Sequence, residues 1–151
     1  MFSVDPQIEK DSIFVGHCEG SCGKVQLRLM RDGRYFWALL VPEVDGAVEL
    51  HDLTPEMQAW LGQISAHFSK ALALATGCEK INTAAIGNMV RMLHVHVIAR
   101  SPGDAAWPGP VWGHGQASAL TRVDEDWRLA VLKDALSALD AASFHRPGHQ
   151  P

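Results

Sequence analysis

Between Thr54 and Gly77 the chain carries one long apolar stripe at helical spacing, and the segments on either side are short branched or aromatic runs that read as strands. Met57, Trp60, Leu61, Ile64, Phe68, Leu72 and Ala75 fall on one side of a helical repeat. Thr54-Pro55-Glu56 supplies an N-cap side chain, a proline at the first helical position and an early acid, and Gly77 supplies the stop. A helix with one apolar face is stable only against a partner layer, so the stripe predicts a sheet for it to lie on.

The strands of that sheet are legible around it. Ser12 to His17 and Lys24 to Met30 read as the arms of a hairpin about Cys18-Glu19-Gly20-Ser21-Cys22-Gly23. Arg31-Asp32-Gly33-Arg34 is a turn, and Tyr35 to Val41, closed by Pro42, is a central strand. Lys80 to Ile86 and Leu93 to Arg100 predict a second antiparallel pair joined by a turn at Gly87-Asn88. A loop rich in Pro, Gly and Trp runs from Ser101 to Gly115. From Asp124 a second helix carries Trp127, Val131, Leu132, Ala135, Leu136 and Leu139 on one side, with Asp124, Glu125 and Asp126 at its positive end. The fold class is therefore α+β, a mostly antiparallel sheet of about five strands with one long central helix and one C-terminal helix.

At 151 residues and 47% hydrophobic content the chain can bury one core of ordinary size. One domain is expected over residues 1–145, with a frayed tail over 146–151. A formal charge of −4 gives no broad basic surface for polymeric nucleic acid, although Lys80, Arg91 and Arg100 leave room for a small anion. Cys18, Cys22 and Cys78 are odd in number and read as reduced thiols, and Cys18-x-x-x-Cys22 lacks the two further ligands of a structural zinc site. The opening residues show no basic region followed by an apolar stretch, and no run reaches the roughly eighteen apolar residues of a spanning helix. A cytoplasmic chain with no membrane contact is the expectation.

His94 and His96 stand two apart in Val90-Arg91-Met92-Leu93-His94-Val95-His96-Val97-Ile98. Alternation along a strand puts both rings on one face and Leu93, Val95 and Val97 on the other. A lone strand histidine is most simply a polar residue on a solvated face. Two on one face, with Asp32, Asn82, Asn88 and the tryptophan loop as neighbours under the proposed pairing, predict a concave site at a sheet end.

The run from Gly87 to Ile98 resembles the signature of the histidine triad (HIT) superfamily, His-φ-His-φ-His-φ-φ with φ apolar. A strand ending in Val41-Pro42, a long helix, Asn82, a glycine one turn before the motif and Trp107-Pro108 beyond it also follow that family's order. The stretch from Gly103 to Gly113 is similar to a bacterial branch whose members lack a full triad, and here Met92 stands at the first triad position. The resemblance implies a nucleotide hydrolase or nucleotidyl transferase that acts on the α-phosphate of a phosphoramidate, dinucleoside polyphosphate or related conjugate. It implies a covalent nucleotidyl intermediate on His94, no cofactor, and a homodimer whose strands extend one sheet across both subunits. His96 would donate to a nonbridging phosphate oxygen. Asp32, Asn82, Gly87, Asn88, Met89 and Trp107 would contact nucleotide or phosphate, Asp32 as the ribose ligand besides forming its turn, while Trp112 is expected to pack its loop.

Imidazole suits the covalent role because its neutral form attacks phosphorus and still leaves tolerably in the second step. The attacking tautomer needs an acceptor for its other nitrogen, most simply a backbone carbonyl. Met92 has no proton to give, so general acid help, typically worth ~10²- to 10⁴-fold, is missing or comes from a group such as His51 or His114. Two other classes stay open: a nucleotide-binding module without catalysis, and, more distantly, a metal protein in which the two imidazoles share an ion with His114 or Asp32.

Overall fold

A computed structural model describes residues 1–143 of the chain, with side chains over residues 1–139; the expected tail at 146–151 lies outside the described residues. The elements run α1 (Pro6–Asp11), β1 (Ser12–Gly20), β2 (Gly23–Met30), β3 (Trp37–Pro42), α2 (Pro55–Thr76), β4 (Lys80–Ala84), β5 (Val95–Arg100) and α3 (Arg122–Ser143). The strands form one antiparallel five-stranded sheet in the order β1-β2-β3-β5-β4. This is the α+β architecture that the sequence predicts.

Helix α2 starts and stops where its punctuation says. Thr54 Oγ1 accepts from the Met57 amide, Pro55 opens the first turn, and Gly77 takes the left-handed conformation (φ 65°) with its N–H bonded to the Ala73 carbonyl. Met57, Leu61, Ile64, Phe68 and Leu72 of its stripe are buried against one face of the sheet, which contributes Val25, Leu27, Ala38, Leu40, Val95 and Val97. Leu132, Ala135 and Leu139 of α3 complete that core. Among the described residues no helix is long and apolar enough to cross a membrane.

All six residues of β3 are buried, because the second face of the sheet is covered as well. Trp37, Leu39, Val41 and Ile98 pack there beneath Ile8 of α1 and Ala106 and Val111 of the long loop after β5. Register places His96 of β5 opposite Leu39 of β3 on this second face, away from the long helices. The alternation read from the sequence thus sends Leu93, Val95 and Val97 to one core and the two imidazoles to the other side.

Three expectations need correction. The polar lead contains a short helix, α1, capped by Asp5, whose carboxylate accepts from the Gln7 amide. Arg28, 2% exposed, holds it to the sheet by donating to Glu9 and to Ser12 Oγ. The β1-β2 turn is only residues 21–22, since β1 continues to Gly20. The link between β4 and β5 is no tight turn at Gly87-Asn88 but a loop over residues 85–94, with β5 beginning at Val95. That loop carries Asn88, Met89 and His94.

Candidate active site

His94 is the last residue of the loop before β5 and His96 the second residue of the strand, so a peptide pair separates them and their rings meet edge to face, centroids 4.7 Å apart. They are 7% and 5% exposed. Nδ1 of His94 lies 2.7 Å from the Met92 carbonyl oxygen. A carbonyl can only accept, so in the neutral ring Nδ1 carries the proton and Nε2 presents a lone pair. This is the backbone acceptor that the attacking tautomer requires.

His96 has the opposite tautomer. The Trp37 indole N–H donates to its Nδ1 at 3.0 Å, and its Nε2–H donates to the Ile86 carbonyl at 3.2 Å. Burial, with the neighbouring His94 adding to it, pushes the His96 imidazole down to about 4. It is therefore neutral throughout the physiological range.

The depressed value has a stability consequence whose sign is fixed by linkage. An unfolded chain takes a proton on this ring as pH falls below its ordinary range near 6.5, while the folded chain resists until about 4. Stability that is fully present above 6.5 is lost as pH falls through that window, at roughly 1.4 kcal/mol per pH unit. Urea unfolding at pH 7 and pH 4.5 is expected to show the native protein losing roughly 2 kcal/mol more than His96→Gln, which cannot titrate. Equal losses in the two proteins would remove His96 as the source.

A cavity of about 800 Å³ opens on this face, within the range of small-molecule sites. Asp32, Asn88, Met89, His94 and His96 all line it. Trp37 and Leu39 of β3 and Val111 and Trp112 of the long loop supply apolar wall, while α1 adds Ile8 and Lys10. A second hollow of about 270 Å³ is bordered by Glu49, Gly87, Asn88, Arg91 and His94. His94 and Asn88 belong to both, so the nucleophile candidate stands where a large apolar space and a small polar one meet.

Gly87 is required by close approach. A Cβ there would lie 2.7 Å from the Val90 carbonyl oxygen and 3.8 Å from Cε1 of His94, so any side chain would displace the loop from beside the ring. Asp32 is both turn former and wall. Its carboxylate receives the Arg34 amide at 3.0 Å and the Arg34 guanidinium at 2.8 Å, and although burial pushes its pKa up, these bonds outweigh it and hold the group below the usual carboxylate value. Arg128 of α3 fixes the same turn, donating to the carbonyls of Asp32, Gly33 and Tyr35 at 3.0, 3.1 and 2.6 Å.

Other expected contacts lie elsewhere. Asn82 points its Oδ1 at Arg100, 2.7 Å away, and is absent from the cavity wall. Trp107, in cis linkage to Pro108, covers the Arg100 guanidinium at 5.8 Å and is likewise absent, whereas Trp112, expected only to pack its loop, lines the cavity with its ring 5.3 Å from His96. His51 is exposed on a turn beside Asp52 and borders neither hollow, while His114 lines the larger one. Met92 offers its sulfur to the Asp5 amide at 3.4 Å and so ties the N-terminal segment to the loop before β5. Trp37, Ile86 and Arg34 escaped the sequence reading; only strand order, which is not written locally, puts Trp37 beside His96. Among the described residues no group of three or more His, Cys, Asp or Glu converges as a metal site.

An antiparallel sheet that presents paired imidazoles of opposite tautomer to one end of an apolar cavity defines the class to which this molecule is compared. The family model described as the HIT domain matches residues 9–103, and the chain belongs to that family. Among solved structures, a histidine triad protein of Sinorhizobium meliloti 1021 is 42% identical with a TM-score of 0.81, the match covering 89% of this chain and 96% of that one. One from Bradyrhizobium japonicum is 38% identical (TM-score 0.83; 89% and 98% covered), and one from Marinobacter aquaeolei VT8 is 37% identical (0.82; 92% and 98%). No curated protein matches the chain.

Proposed function

We propose that this protein is a nucleotide hydrolase or nucleotidyl transferase that attacks the α-phosphorus of a nucleotide conjugate with Nε2 of His94. Membership of the HIT family supports a nucleotide-related hydrolase or transferase function in general. The observation that carries the finer reading is the 2.7 Å bond from His94 Nδ1–H to the Met92 carbonyl, because it leaves the lone pair on the nitrogen that can face a substrate in the cavity. In the first step Nε2 bonds to phosphorus as the bond to the leaving group breaks. Water then bonds to phosphorus as the bond to Nε2 breaks, returning the free imidazole and a nucleoside monophosphate.

His96 contributes without changing charge. Its Nε2–H, fixed in that tautomer by the Trp37 donor, exchanges the Ile86 carbonyl for a nonbridging phosphoryl oxygen, and the amides near Gly87 and Asn88 add to the same field. The apolar wall of Trp37, Leu39 and Trp112 accommodates the nucleoside. Asp32 serves the ribose only by yielding an acceptor site now filled by Arg34.

The test is a trapped intermediate. Protein mixed with adenosine or guanosine phosphoramidate and quenched in alkali, where phosphorus-nitrogen adducts of histidine survive, should carry a nucleotidyl group on the peptide containing His94. One observation favours a second reading: Met92 has no proton to give and is occupied by the Asp5 amide. Tight binding of AMP or GMP by calorimetry, with neither adduct nor turnover, would make the protein a nucleotide-binding module instead.

A further inference from the structure

The proposed reaction leaves one proton unassigned. An amine or alkoxide leaving group must be protonated as it departs, and Met92 stands where the signature has its first histidine. The wall of the larger cavity offers few sources. Guanidinium and ammonium groups, as on Arg31, Arg34 and Lys10, act as electrostatic partners and not as proton donors at neutral pH. The carboxylates of Asp11 and Asp32 accept from Gln7 and Arg34, and the one N–H of His96, bonded to Ile86 here, serves the nonbridging phosphoryl oxygen in the proposed reaction. With His94 as nucleophile, the imidazole that remains is His114.

Its position is built into the loop. Arg34, already clamped on Asp32, donates to the His114 carbonyl at 2.6 Å, and the His114 amide donates to the Val111 carbonyl at 3.3 Å. Gly113 and Gly115 on either side have φ of 76° and 58°, which lets the chain turn sharply at both ends of the residue. All of these anchors are backbone. His114 is exposed and lines the cavity two residues beyond Trp112, whose indole lies edge-on to the His96 ring. Imidazole is the side-chain type that both gives and takes a proton near neutrality, as a two-step displacement requires.

We propose that His114 supplies the proton to the leaving group, in place of the first triad histidine; this rests on the covalent reading of His94. As the phosphorus bond to the leaving group breaks, that group departs with the electron pair and takes a proton from the His114 imidazolium. Neutral His114 then takes a proton from the attacking water as the bond from phosphorus to His94 Nε2 breaks, and both rings return to their starting states.

The test compares two leaving groups on one nucleoside monophosphate, an alkylamine and p-nitrophenolate, in the native protein and in His114→Gln. Only the amine needs a proton to leave, so in single-turnover transfer to His94, before water attacks, the variant should lose ~10²-fold or more in rate with the alkylamidate and stay within about threefold with the p-nitrophenyl ester. Equal loss on both substrates, or loss on neither, would overturn the assignment of His114 while the trapped His94 adduct in the native protein leaves the covalent reading standing. A native protein that forms no adduct and turns over neither compound would overturn that reading and this assignment together.

Discussion

His94→Ala is expected to abolish turnover of nucleotide phosphoramidates and to carry no nucleotidyl adduct, a loss of at least ~10⁴-fold in kcat, because the variant lacks the nucleophilic Nε2 while the bare nitrogen of His96 is taken by the Trp37 indole and His114 serves the leaving group. The change also strips the part-buried Met92 carbonyl of its donor, which costs about 1 kcal/mol. His94→Asn separates the two effects, since an amide can still donate to that carbonyl yet cannot form a stable phosphorus adduct. The asparagine variant should therefore be the more stable of the two and equally inactive. If either variant turned over substrate at the native rate, the chemistry would lie elsewhere in the cavity. Measured alongside His114→Gln in single-turnover adduct formation, the series distinguishes a nucleophile, needed for every substrate, from a proton donor, needed in that step only for poor leaving groups.

What could be read from the chain follows from how local each signal is. Helix α2 and the alternation at His94 and His96 depend on residues a few positions apart, and both stand as the sequence predicts. The loop over residues 85–94 was harder, because Gly87-Asn88 is a strong two-residue turn signal by composition, yet Gly87 is small here so that the Val90 carbonyl can pass close by. Helix α1 has six residues and one buried apolar side chain, too little periodicity to register against a polar lead. The wall of the cavity was mostly out of reach. Trp37 meets His96 through strand pairing across 59 positions, and Arg128 meets Asp32 across 96. Among the described residues the three buried arginines, Arg28, Arg100 and Arg128, look like surface charges to any composition rule, since their burial depends on the carboxylates, carbonyls and, for Arg28, the Ser12 hydroxyl that accept from them.

Arg100→Met should destabilise the protein by about 3–5 kcal/mol, the usual consequence of removing one partner from a buried ion pair. Arg100 is 1% exposed at the end of β5 and donates to both carboxylate oxygens of Asp104 at 2.7 and 3.0 Å, to Asn82 at 2.7 Å and to the Gly109 carbonyl at 2.8 Å. Methionine replaces much of the stem's volume and omits the guanidinium that lies 5.8 Å from the Tyr35 and Trp107 rings, so the loss reports on stranded polar partners more than on packing. The Asp104 carboxyl, held below its ordinary pKa chiefly by its hydrogen bond from Arg100, would be left nearly buried without that cation. A second change tests this account: Asp104→Asn added to Arg100→Met keeps acceptors for the Ser101 and Ala106 amides but removes the uncompensated charge, so the double variant should be more stable than Arg100→Met alone. Urea unfolding that places Arg100→Met within 1 kcal/mol of the native protein, or the double variant below it, would remove the ion pair from the explanation. The site is affected through the same contacts, because Arg100, Asp104 and Gly109 set the path of the loop that delivers Val111 and Trp112 to the cavity wall. Nucleotide affinity should accordingly fall in Arg100→Met even at temperatures where the variant is fully folded, although no atom of Arg100 lines the cavity.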